Sequence, residues 1–332
     1  MALTTPILEG NRLTLARLLT QVENDSPESR AALAELFQHT GRAHLIGVTG
    51  APGTGKSSLV NQLALYYRKN TDPQKKVAIV AVDPSSPFTG GAVLGDRVRM
   101  RDLSGDEGVF IRSMATRGSL GGIARKTASV VQVFDAAGYE IIIIETVGAG
   151  QSEVDVARLA HTTVVVEAPG LGDEIQAIKA GILEIADVLV VNKADRPGVE
   201  NTERALRSTL ALAHPTKRVY RHHGRDMSIS APKADSKIWI PPVIKTVATE
   251  GKGMDELAAS IAKHAEHLRQ SGDWAARDRA RLASEMETLL REALMDRFLE
   301  NVEHEMYDAL IERVVDRNIS PYEAVNFLLN GN

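Results

Sequence analysis

The sequence predicts an α/β fold: a mostly parallel central sheet with helices on both faces, a helical N-terminal arm before it and a helical extension after it. Three observations predict it. Short apolar, β-branched runs alternate with segments of helical periodicity from residue 44 to about residue 248. The runs are apolar at successive positions, so both faces of each strand need covering. The first run, His44 to Thr49, leads into Gly50-Ala51-Pro52-Gly53-Thr54-Gly55-Lys56-Ser57, after which Ser58 to Tyr66 places apolar residues at helical spacing.

In chain order, residues 1–43 read as the arm, with Ile7, Leu8, Leu15, Leu18 and Leu19 as one apolar set. Asn24-Asp25-Ser26-Pro27 is a turn or cap, and Pro27 suits the first turn of a helix whose apolar face is Ala31, Leu33, Leu36 and Phe37. Seven strands are expected: His44 to Thr49, Val77 to Val82, Val109 to Ile111, Ile141 to Ile144, Thr162 to Val166, Val188 to Val191 and Val243 to Val247. Residues 214–240 interrupt the alternation with Lys217, Arg218, Arg221, His222, His223 and Arg225, then Trp239 before Pro241-Pro242. A solvated insertion is expected there, with a protein contact surface as the sharper alternative. From about residue 254 the chain reads as helical, with a stripe that includes Leu282, Met286, Leu289, Leu290, Leu294, Phe298, Met306 and Leu310. The stripe is expected to pack on the domain or against a second subunit. The expected divisions are an arm at 1–43, a nucleotide-binding domain at 44–258 and an extension at 259–332.

Residues 50–57 fit G-x-x-x-x-G-K-[ST] without a mismatch and identify a P-loop NTPase. Gly50, Pro52, Gly53 and Gly55 let the backbone wrap a phosphate chain with N–H groups pointing inward. The helix N-terminus at Lys56, Ser57 and Ser58 adds positive potential. Lys56 can reach the β- and γ-phosphates, and the Ser57 hydroxyl can bind Mg²⁺. Asp83 ends the second strand before Pro84-Ser85-Ser86-Pro87, where a carboxylate can hold Mg²⁺ directly or through water. Asp96, in a glycine-rich and then charged segment with Arg97, Arg99 and Arg101, is a second candidate for the metal or the water.

Glu145 follows four isoleucines, an acid at a strand end near metal and attacking water. Beyond it, Gly148 can donate its N–H to the γ-phosphate, and Gln151 either orients water, contacts a partner or is an ordinary loop glutamine. Asn192-Lys193-Ala194-Asp195 fits guanine recognition: a carboxylate accepts from the N1–H and exocyclic amino group of guanine, which adenine cannot supply. Lys193 can lay its stem over the base, Asn192 can tie loops together, and Thr246 to Thr249, including Ala248, would line the other side. Pro169 to Glu174 is a glycine-rich, acidic loop, either a plain β–α turn or a third nucleotide-responsive loop.

Composition narrows the class. Hydrophobic residues make up 43% and charged residues 25% of the 332, ordinary for a globular chain with a sizeable core. A net charge of -4 gives no bulk drive toward nucleic acid or anionic membrane. The absence of cysteine excludes disulfides and thiolate metal sites. No secretory signal or spanning segment is visible, so a cytoplasmic location is expected.

These motifs together resemble the MeaB/ArgK/MMAA family of G proteins. The most specific pieces are Val82-Asp83-Pro84-Ser85-Ser86-Pro87, Gly95-Asp96-Arg97, and Glu145-Thr146-Val147-Gly148-Ala149-Gly150-Gln151-Ser152-Glu153. The resemblance covers nearly the whole chain and implies a SIMIBI-class GTPase that binds GTP, GDP and Mg²⁺. It implies a carboxylate set of Asp83, Asp96 and Glu145 with Ser57 around the metal, Gln151 in a second switch, and Asp173 and Lys179 in a third. It further implies a homodimer through the C-terminal helices. The implied role is a chaperone that gates adenosylcobalamin loading and protects or reactivates an acyl-CoA mutase, methylmalonyl-CoA mutase or a close relative. An adenosyltransferase is a further candidate partner. Slow intrinsic turnover is expected, since no arginine is clearly committed in cis. Alternatives are a nickel-type metallochaperone GTPase, for which His222-His223 is a weak candidate site, a kinase of a transport protein, and a purely structural nucleotide-binding module.

Overall fold

The computed structural model describes residues 3–84, 100–103, 105–116, 122–146, 152–170, 182–212, 219–222, 225–228, 238–302 and 304–330. Strand β1 (His44–Thr49) is the middle of a seven-stranded sheet whose neighbours all run parallel. With β2 (Val77–Pro84), β3 (Val109–Thr116), β4 (Ile141–Thr146), β5 (Thr162–Glu167), β6 (Val188–Val191) and β9 (Val243–Lys245), the order is β3-β2-β4-β1-β5-β6-β9. All seven expected strands are present, and β3 runs five residues beyond the expected Ile111, to Thr116.

The alternation of side chains explains why continuous apolar runs were needed. In β4, Ile142 and Ile144 face one helical layer, while Ile141 and Ile143 face the other. The first layer is the arm, α1 (Thr4–Leu8), α2 (Arg12–Glu23) and α3 (Pro27–Leu36), with α5 (Gly122–Ala136) and α6 (Ser152–Leu159). The second is α4 (Lys56–Lys69) and α9 (Met254–Ser271), and a smaller cluster joins Val165, Leu189 and Val191 to α8 (Val199–Leu212). Fully buried residues such as Phe134, Leu59 and Ile142 each contribute roughly 1.5–3 kcal/mol by leaving water. The short α7 (Ile182–Ile185) precedes β6.

The arm folds as its caps dictate. Asn11 Oδ1 accepts from the Thr14 N–H to start α2, and Ser26 Oγ accepts from the Ser29 N–H with Pro27 in the first turn of α3. Ile7, Leu15, Leu18 and Leu19 are buried as expected, but Leu8 and Phe37 are exposed, and α3 buries Ser29, Ala32 and Leu36 rather than Ala31. A 3.6-residue period places Ala32, not Ala31, in line with Leu36. Asp25 is gripped by Arg30 and by Arg125 of α5, which hold its carboxyl below the usual range. Asp135, at the end of α5, accepts from the N–H groups of Gly41, Arg42 and Ala43 and so sets the start of β1.

Where a solvated insertion is expected, the basic stretch holds an antiparallel hairpin, β7 (Val219–His222) and β8 (Arg225–Ser228). His223 lies outside the described residues, as do the side chains of the rest of the stretch up to residue 237. The tail is helical: α10 (Asp273–Glu300), α11 (His304–Val315) and α12 (Pro321–Asn330). The chain divides into compact units at Met1–Arg281 and Leu282–Asn332. The expected boundary after residue 258 falls inside α9, whose Leu257, Ile261, Ala265 and Leu268 are buried in the first unit. Within the second unit Met286, Leu290, Leu294 and Val315 are exposed, whereas Leu310 is buried. No helix among the described residues is long and apolar enough to cross a membrane.

The amino-terminal edge of the sheet is closed by side chains. His44 Nε2 lies 2.8 Å from Thr162 Oγ1, which lies 2.9 Å from His264 Nδ1. His264 Nε2 is 3.3 Å from Asp187 Oδ1, and Arg277 of α10 donates to both Asp187 oxygens at 2.9 and 3.1 Å. Asp187 Oδ2 also accepts from the Thr163 N–H, and its carbonyl accepts from Trp239 Nε1. His161 accepts from the Leu45 N–H, pairs with Asp278 at 3.0 Å and stacks on Trp274 at 3.9 Å. Burial is the main cause that pushes the His44 and His161 imidazoles below their ordinary pKa.

Candidate functional site

Four segments converge at the opposite, carboxyl-terminal edge. β1 ends at Thr49 and turns at Gly50 (φ 138°) into the loop that precedes α4. A side chain at Gly50 would run into the Val166 carbonyl of β5. At Gly55 (φ 93°) a Cβ would come 2.5 Å from Asn192 Nδ2. Glycine is therefore required twice, once by the neighbouring strand and once by the loop after β6. Between them Pro52 and Gly53 are exposed, and Thr54 is buried with its hydroxyl donating to the Ala51 carbonyl at 2.9 Å.

Lys56, buried at the first position of α4, turns back over the loop and donates from Nζ to the carbonyls of Gly50 (2.7 Å) and Ala51 (3.1 Å). Ser57 is also buried and donates to Glu145 Oε1 at 2.6 Å. Residues 88 positions apart are joined because β4 lies beside β1 and Glu145 faces the α4 layer, like Ile141 and Ile143. Two hard oxygen donors thus meet at the helix N-terminus beside the loop, a donor set that fits Mg²⁺. Ser58 is half-buried on the next position. Asp83 belongs to β2 by its backbone, one residue before the strand ends, and its side chain lies outside the described set. Asp96, Gly148, Gln151, Asp173 and Lys179 lie outside the described residues.

Beyond β6, Asn192 is buried and serves as a three-way tie. Its Nδ2 donates to the Thr54 carbonyl at 2.8 Å, while its Oδ1 accepts from the Thr246 hydroxyl and the Ala248 N–H, both at 3.1 Å. The loop around Gly55 is thereby fastened to the segment after β9. Lys193 (φ 57°) reaches across the loop and donates from Nζ to the Gly53 carbonyl at 2.5 Å. Asp195 is exposed, and the Thr246 carbonyl accepts from the Ala194 N–H at 3.0 Å. Thr246 and Ala248 are buried, and a 3₁₀ turn, Ala248–Glu250, follows. Lys252 pairs with Glu250 at 2.6 Å, and that bond raises its ammonium pKa.

The structure therefore brings together Gly50, Pro52, Gly53, Gly55, Lys56, Ser57, Ser58, Glu145, Asn192, Lys193, Asp195, Thr246 and Ala248 at one edge. Sequence reading did not single out Thr54, whose carbonyl is the anchor for Asn192, nor Thr49 and Thr146, whose hydroxyls meet at 3.1 Å beneath the loop. A threonine at a loop or strand end carries no distinguishing signal without the partner strand.

Comparison with known proteins agrees with this geometry. Residues 15–303 match the family model described as methylmalonyl Co-A mutase-associated GTPase MeaB. A Pyrococcus abyssi protein that carries a GTPase name is 42% identical over 321 residues, 97% of this chain and 93% of that protein. The mouse (Mus musculus) mitochondrial methylmalonic aciduria type A homolog is 31% identical over 340 residues, 98% of this chain and 77% of its own length. A solved structure described as an LAO/AO transport system kinase superposes with a TM-score of 0.69 at 27% identity, covering 98% of this chain and 95% of that one.

Proposed function

The chain belongs to the methylmalonyl-CoA mutase-associated GTPase family MeaB, and we propose that it couples GTP hydrolysis to gating the adenosylcobalamin cofactor of an acyl-CoA mutase. Its activity as a GTPase follows from that membership. The observation that supports the mutase role is the reach of the family match, residues 15–303, which runs from within α2 of the arm through the nucleotide unit and the whole of α10. The client is proposed to be methylmalonyl-CoA mutase or a close relative.

The residues at the carboxyl edge divide the chemistry. The backbone of residues 50–55 wraps the phosphates, and Lys56 exchanges its present carbonyl partners for the β- and γ-phosphate oxygens. Ser57 and Glu145, with Asp83 and Asp96, would hold Mg²⁺. When bound, Mg²⁺ supplies positive charge to the phosphates as negative charge shifts in the in-line attack of water. Glu145 would place that water, and Gly148 and Gln151 would complete the γ-phosphate side. Asp195 accepts from guanine N1–H and its amino group, Lys193 lies along the base, and Asn192 holds the Thr246 to Ala248 segment in place. Asp173 and Lys179 are assigned to a loop that reports the nucleotide state to the client. The exposed Met286, Leu290 and Leu294 of α10 are assigned to contact with a second copy of the chain.

The test is a titration of the purified protein with an adenosylcobalamin-dependent acyl-CoA mutase. The proposal expects a complex whose affinity differs between GTP-analogue and GDP states and a GTPase rate that rises on binding. A GTPase rate and complex formation indifferent to every such mutase would reject the chaperone role. Light scattering of the isolated protein reads the oligomer: a dimer supports the assignment of α10, and a monomer that persists at high concentration contradicts it.

A further inference from the structure

β1 and β4 leave the sheet side by side. The register pairs Val48 with Glu145, so Thr49 and Thr146 stand level at the next position. Val48 and Ile143 face α4, and Glu145 follows them toward Ser57. Thr49 and Thr146 therefore face the other layer, as does Gly47, over which Val156 and Ala160 crowd so closely that a Cβ would come 2.7 Å from Val156. There the Thr49 and Thr146 hydroxyls, both fully buried, hydrogen-bond to each other at 3.1 Å.

This contact sits on two functional junctions. Thr49 is the residue before Gly50, where the loop begins, and Thr146 is the residue after Glu145. Ladder hydrogen bonds hold strands together along their length, but at a strand's last residue the ladder ends and a side-chain bond can fix the separation instead. We propose that Thr49 and Thr146 are positioning residues for GTP hydrolysis: their bond locks the end of β4 to the end of β1 and so keeps the Glu145 carboxylate beside Ser57 at the metal-binding position. The inference rests on the assignment of Ser57 and Glu145 to Mg²⁺.

The experiment compares Thr146→Val, Thr146→Ser and the double variant Thr49→Val/Thr146→Val with the parent. It reads GTP turnover, and GDP affinity with and without Mg²⁺. A buried hydrogen bond is typically worth a factor of about ten, so Thr146→Val is expected to lower kcat about tenfold. It is also expected to weaken the Mg²⁺-dependent gain in GDP affinity about fivefold, with metal-free GDP affinity within about twofold of the parent. Thr146→Ser keeps the hydroxyl and is expected near the parent. The double variant removes both hydroxyls without leaving one buried alone, so it should fold and still show the loss. The proposal is overturned if Thr146→Val keeps the parental kcat and Mg²⁺ gain, if Thr146→Ser is equally impaired, or if the double variant recovers parental turnover. A parent whose GDP affinity is indifferent to Mg²⁺ would instead overturn the metal assignment itself.

Discussion

At the carboxyl edge of the sheet, backbone groups around Gly50 and Gly55 meet Lys56, Ser57, Glu145 and Asn192; at the amino edge, His44, His264, Asp187, Arg277 and Trp274 close on one another. Both edges are rich in polar groups, and both are made from the ends of β1, β5 and β6. They differ in what satisfies those groups. At the carboxyl edge Lys56 donates to carbonyls that phosphate oxygens can replace, and Ser57 donates to Glu145 in a contact that gives way when the two oxygens share a cation. At the amino edge, Asp187 receives Arg277 through two bonds and the Thr163 N–H through a third, so the site is filled by its own chain. One edge is arranged to exchange partners and the other to keep them, and substitutions at the two should separate activity from stability.

The largest effect is expected at the closed edge. Asp187→Ala leaves Arg277 without its carboxylate in a mostly buried position and should cost about 3–5 kcal/mol in denaturant unfolding. Lys56→Ala should do the reverse, lowering GTP turnover by about a hundred- to thousandfold while the unfolding midpoint holds. A lysine variant that unfolds, or an Asp187 variant of parental stability, would break the contrast between the edges. Asn192→Ala should weaken GDP binding by about tenfold or more, because the Thr54 carbonyl and the Ala248 N–H both lose a buried partner.

The pH dependence sharpens the same contrast. His44 and His161 have folded pKa values below the ordinary 6.5, so the unfolded chain binds protons more readily than the folded one. The stability they contribute is complete above pH 6.5 and falls as the pH drops through that value toward their folded pKa. Unfolding titrations at successive pH values should show this decline, and His44→Gln/His161→Gln should flatten it. The smallest effect is expected for Lys75→Ala, which removes an exposed pair with Glu140 near the start of β2 and should change stability by less than about 1 kcal/mol.

The two edges also differ in how well the sequence reveals them. The carboxyl edge was legible because its chemistry is written locally: Gly50 to Ser57 and Asn192 to Asp195 are contiguous and follow short, largely apolar runs that read as strands. The amino edge was not. Thr162 and His264 are 102 positions apart, and Asp187 and Arg277 are 90 apart, so each reads as an isolated polar residue until the sheet order is known. The β7–β8 hairpin was missed for a different reason: its strands are short and polar, without the apolar alternation that marks a half-buried strand. The expected boundary after residue 258 cuts α9, because α9 continues the helical periodicity of the tail while burying Leu257 and Ile261 in the sheet's own core.

The claim that the open edge is a guanine site is tested most directly by titrating the protein with GDP and ADP and repeating both with Asp195→Asn. The parent is expected to bind GDP at least about a hundredfold more tightly than ADP, since a site built to hydrogen-bond a base edge strongly rejects the base that lacks those groups. Asp195→Asn should lose most of that preference. Equal affinity of the parent for GDP and ADP, or an Asp195→Asn variant with undiminished preference for GDP, would contradict it.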